Sequence, residues 1–182
     1  MSAPTFNPAQ AVRFDLAHGA VRAGTADDRF VLVPASALVD VARGAPAEVA
    51  AALGQAIGRG IGRRAAGRIG DAKASTLEGF ITQLAGEAAI AGVGLWSLER
   101  WGRALVVVVS EGVAPPSMIA AIVGAAIEGA SGRKVGCALL AGDEHGARVL
   151  VSSDRAVERV RQWIGSGMAW AEAISKLHGG GS

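Results

Sequence analysis

Histidine and cysteine most often carry metal or nucleophilic chemistry, and here they are few: His18, His145, His178 and Cys137. None stands at His-x-x-x-His or Cys-x-x-Cys spacing, so no zinc ligand set is read. His145 follows Asp143 and Glu144 in what reads as a hairpin tip, where a solvated polar turn is a simpler account than an acid–base group. Cys137 lies between Val135 and Leu139 in a strand-like run and reads as a small buried hydrophobe. Only Arg133 and Lys134 would favour a reactive thiolate there. Gly58-Arg59-Gly60-Ile61-Gly62 looks like a phosphate-binding loop, yet it sits inside a helical period and no Gly-Lys-Ser/Thr follows. The carboxylates are scattered and form no acid–base pair. The expectation is a protein that is not an enzyme, with no catalytic, cofactor-binding or metal-binding residue.

Two other groups could do binding chemistry. Arg59, Arg63, Arg64 and Arg68 make a basic edge suited to phosphate or an acidic partner, although such an edge is more commonly a solvated helix face. Trp96 and Trp101 bracket Glu99 and Arg100, and Trp and Arg are enriched at interface hot spots. By strand alternation the two tryptophans point to opposite faces, so one belongs to the core and the other is the interface candidate.

The elements that must position these residues follow from composition and pattern. With 182 residues, 51% hydrophobic and 19% charged, the chain suits one well-filled core. Aromatics make up 4% and tyrosine is absent, so small and aliphatic side chains must form that core. The boundaries expected are a flexible N-terminal arm over 1–10, a single domain over 11–178 and a flexible tail over 179–182. A lone cysteine and the lack of a secretory pattern in the first ten residues suggest the cytoplasm. The most apolar runs, 104–109 and 119–126, are far shorter than the roughly 20 residues of a membrane span. A formal charge of +2 makes nucleic acid an unlikely partner.

Short strand-like runs over 13–33, separated by His18-Gly19 and Asp27-Asp28, predict an opening hairpin or meander. A short helix follows Pro34. From Pro46 to Gly70 the steps of four sort residues onto faces: Leu53, Ile57, Ile61 and Ile69 are aliphatic, Gly54, Gly58 and Gly62 are small, and Gln55, Arg59 and Arg63 are polar. Interior glycines at 54, 58, 60, 62 and 67 together cost a helix on the order of 4 to 5 kcal/mol. Close contact with another helix, within the chain or across a dimer, must offset that. Ser75 and Glu78 suggest a capping box for a helix carrying Leu77, Phe80, Ile81, Leu84 and Ala88. Two further hairpins, over 95–109 and 134–151, flank an apolar helix over 117–129, and two amphipathic helices close the chain. The class is therefore α/β of the α+β type: an antiparallel sheet built from hairpins and covered by helices on one side.

With that order in place, the chain resembles the superfamily that joins 4-vinyl-reductase-like ligand-binding domains to the small subunits of TRAPP tethering complexes. The likeness is carried by Phe14-Asp15-Leu16 with Gly19-Ala20-Val21, by Leu32-Val33-Pro34-Ala35, by the helix holding Gly58 and Gly62, and by Gly132-Arg133-Lys134-Val135 with Cys137 and Gly142-Asp143. It spans 14 to about 151. It implies a dimer with either an apolar-ligand pocket or a surface for protein partners, small GTPases among them. Many ligand-sensing members have a second cysteine after the Gly-Asp turn, where this chain reads His145-Gly146-Ala147, so no cysteine-pair site carries over.

The leading expectation is a non-enzymatic homodimeric interaction or scaffold module, TRAPP-like, whose dimer interface is Gly54, Gly58 and Gly62 and whose partner-binding residues are Arg59, Arg63, Trp96, Arg100 and Trp101. The alternative is a sensor that holds a small apolar ligand between sheet and helices.

Overall fold

The computed structural model describes residues 6–24, 28–70, 75–102 and 104–179. The chain opens with an antiparallel three-stranded meander, β1 (Val12–Asp15), β2 (Ala20–Ala23) and β3 (Arg29–Phe30). Gly19 turns β1 into β2 with φ at +57°, a conformation that favours glycine. Three helices follow: α1 (Ala35–Gly44), α2 (Ala47–Ile69) and α3 (Leu77–Ile90). Pro34 and Pro46 precede the first two. At α3 the cap is Thr76 and not Ser75, its Oγ1 accepting from the Gly79 amide at 3.1 Å; Glu78 pairs instead with Arg100 at 3.3 Å.

The second sheet is four-stranded and antiparallel, in the order β4-β5-β7-β6. Hairpin β4 (Leu95–Trp101)–β5 (Ala104–Ser110) and hairpin β6 (Gly136–Gly142)–β7 (Gly146–Ser152) join along β5 and β7, with α4 (Pro116–Ser131) crossing between them. Helices α5 (Asp154–Gly165) and α6 (Trp170–Gly179) end the described chain. The α+β class expected from the hairpins is the one observed.

Cover is on both faces of this sheet, which corrects the one-sided expectation. Val107, Val109, Ala147 and Val149 face a core shared with α2, α3 and α4. Ala104, Val106, Ala138 and Leu150 face a second core built with Val157 and Val160 of α5 and Ala173 and Ile174 of α6. The alternation of β5 and β7 between these cores is the period of two of a strand buried on both sides.

The glycine stripe explains the packing of α2. A Cβ on Gly58 would collide with the Ile122 carbonyl, one on Gly62 with the Ala126 carbonyl, and one on Gly54 would lie 2.9 Å from the Met118 carbonyl oxygen. Helix α4 answers with small residues of its own, Ala121, Ala125 and Gly129, so the two backbones meet directly. Gly54, Gly58 and Gly62 are thus filled by α4 of the same chain, and the dimer interface assigned to them is corrected.

Of the arm expected over 1–10, the structure describes residues from Phe6 onward. Pro8–Gln10 form a 3-10 turn in which Asn7 Oδ1 accepts from the Ala9 amide at 3.1 Å. The Phe6 ring lies against Gly86, where any side chain would overlap it. The rest of the arm, 1–5, and tail residues 180–182 lie outside the described residues.

Candidate functional site

Between the meander and the α2 face turned away from α4 lies a cavity of about 680 Å³. Its floor is Leu53, Ile57 and Gly60 of α2, its walls include Val12, Val21 and Phe30 of the meander and Leu38 of α1, and one end is closed by Ile90–Val93 after α3. Val31, Leu32 and Val33 border it and remain largely exposed, at 81%, 72% and 59%. The lining is apolar apart from Asp28, Arg29, Arg63 and Arg64.

Arg64 is the buried polar group of this lining. Its Nε donates to Glu87 Oε2 at 2.8 Å, while Arg68 Nε donates to Glu87 Oε1 at 2.6 Å. Glu87 is 1% exposed, so a single carboxylate serves two guanidiniums in a low-dielectric setting, where such bonds are strong and unpaired charge is costly. The Arg64 guanidinium lies over the Phe30 ring, 4.7 Å from its centroid, and the Arg68 guanidinium over the Phe6 ring at 5.0 Å. Arg68 Nη2 is buried without a hydrogen-bond partner among the described residues.

The structure disperses the residues singled out from sequence. Arg63 borders the cavity and faces Asp28 at 3.9 Å, whereas Arg59 is exposed and does not line it. Trp96 is buried in the core shared with α2, α3 and α4, not displayed to a partner, and its Nε1 lacks an acceptor among the described residues. Trp101 packs edge-on against Trp170 at 5.0 Å and donates from Nε1 to Glu99 Oε2 at 2.9 Å, so it serves the second core. Arg100 makes an exposed pair with Glu78. These three do not form one partner surface: burial removes Trp96, and alternation places Trp101 and Arg100 on opposite sides of β4.

His18 pairs with Asp15 at 3.0 Å in an exposed turn, and His145 stands at an exposed hairpin tip where Asp143 Oδ1 accepts from the amides of His145 and Gly146. The side chain of His178 lies outside the described residues. Cys137 is half-buried, and burial, assisted by Glu128 and opposed by Arg161, pushes its thiol pKa up to about 12, against nucleophilic use. Among the described residues no three His, Cys, Asp or Glu side chains group to hold a metal, and no helix is long and apolar enough to cross a membrane.

Sequence reasoning treated Arg64 and Arg68 as an exposed edge and passed over Glu87. The signal was present. Ile57, Ile61, Arg64 and Arg68 follow steps of four, three and four on α2, and Phe80, Leu84 and Glu87 follow four and three on α3, placing opposite charges on two inward stripes.

No protein-family model and no curated protein matches the chain. Among solved structures, it is similar to the phenol-responsive sensory domain of the transcription activator PoxR, crystallised with phenol: the match covers 93% of this chain and 92% of that one, with a TM-score of 0.59 and 16% identity. The two share a fold. At that identity the likeness speaks for the arrangement of elements alone.

Proposed function

We propose that the chain is a non-catalytic sensor domain that takes a small apolar ligand into the cavity between the meander and α2. The observation that carries this reading is the cavity itself. Its volume of about 680 Å³ and apolar lining with a few convergent polar groups match small-molecule sites in general. One further observation supports it: the domain with which the fold is shared is phenol-responsive. The homodimeric scaffold reading, with a small GTPase or other partner, has no comparable support: its dimer stripe is filled by α4, and its partner residues are dispersed.

Calorimetric titration of the purified chain with phenol, toluene and naphthalene tests the proposal. Saturable one-to-one binding to at least one of them is expected, abolished by Ile57→Trp, which fills the cavity floor. No saturation with any of the three, or binding unaffected by Ile57→Trp, overturns it.

A further inference from the structure

We infer that the preferred ligand is an apolar acid: a hydrophobic body for the cavity and one anionic group, such as a carboxylate, held at Arg64. This rests on the sensor reading and adds a charge to it. The cavity lining carries Arg29, Arg63 and Arg64 against Asp28 alone. Behind Arg64 the balance does not recover, because Glu87 is shared with Arg68. Among the described residues, two guanidiniums on one buried carboxylate leave one positive charge uncompensated in surroundings that are otherwise apolar, where charge is expensive to leave alone and a counter-charge is worth most.

The geometry shows where the counter-charge fits. Glu87 occupies the Nε of Arg64, and Phe30 covers one face of the guanidinium. The Nη1 atom lies beside Gly60 on the cavity floor, where a Cβ would come within 3.3 Å of it. Lacking a side chain, Gly60 leaves that edge of the guanidinium open to the cavity. A planar donor edge suits a carboxylate or sulfonate better than a neutral hydroxyl, since bonds between ionised groups are roughly twice as strong as neutral ones.

The test uses the full chain and two fluorescent probes with the same ring system, 1-anilinonaphthalene-8-sulfonate and the neutral N-phenyl-1-naphthylamine. Saturable one-to-one binding is expected for both, with the anion tighter by about tenfold or more. Arg64→Met leaves Arg68 and Glu87 as a balanced pair, and Gly60→Leu screens the Nη1 edge while keeping the charge and favouring the helix. Each should reduce the preference to about threefold or less, chiefly by weakening the anion. Equal or tighter binding of the neutral probe, or an anion preference untouched by both variants, overturns the acid inference and leaves the sensor reading standing. If neither probe binds saturably, the sensor reading falls and the acid inference falls with it.

Discussion

Glu87 is a buried carboxylate on which two helices depend, since α2 contributes both Arg64 and Arg68 and α3 contributes the acceptor. The asymmetry of that arrangement gives a direct test. Glu87→Gln leaves two buried guanidiniums without a counter-charge and should cost about 3 to 5 kcal/mol in urea unfolding. Arg64→Met leaves one pair intact and should cost less than half as much. Cys137 gives a second residue-scale prediction. Its thiol holds its proton up to about pH 12 in the folded chain, against an ordinary value of 9.0, so iodoacetamide at about pH 8 should react slowly with the native protein and quickly in urea. The sign for stability follows. Folded and unfolded thiols are both protonated below 9, and above it only the unfolded one ionises. The contribution of Cys137 is therefore intact below 9 and lost as pH rises toward 12, a loss that Cys137→Ala should not show when urea midpoints at about pH 8 and about pH 10.5 are compared.

At the scale of elements, the pairing of α2 with α4 carries the fold. Gly58→Ala drives a methyl group into the Ile122 carbonyl and should destabilise by about 1 to 3 kcal/mol. Gly67→Ala, on the same helix but facing open space, should stabilise by about 0.8 to 1 kcal/mol. Opposite signs for one chemical change, read by denaturant midpoints, would separate close packing from helix propensity. The glycine spacing was legible in the sequence as a demand for close contact. What it met was not, because periodicity on one helix does not name a partner, and the clue lay in the matching steps of Ala121, Ala125 and Gly129. The cavity was still less legible. It is bounded by pieces of β1, β2, α1, α2 and the turn after α3, and its Arg–Glu–Arg group joins residues of two helices, so tertiary placement alone assembles it.

Over the whole molecule, the central sheet separates two cores, and the cavity lies on the α2 side. Ile174→Ala in the far core should cost about 2 to 5 kcal/mol in unfolding, while probe affinity at the cavity stays within about twofold, as expected for distant sites with no shared partners. Val106–Val109 are four consecutive valines, a run that suits a strand buried on both faces and is incompatible with one-sided cover. Placing α5 and α6 required knowing to which face the chain returns. Helix α2 meets its two neighbours in different ways. Helix α2 touches the meander through side chains and an open space, but touches α4 backbone to backbone, and α4 in turn lies on β6 and β7. A joint without side chains has no rotamers to absorb displacement and so behaves as a stiff coupling. Whatever shifts α2 from the cavity side is passed to α4 and the sheet beneath it, while the meander can yield.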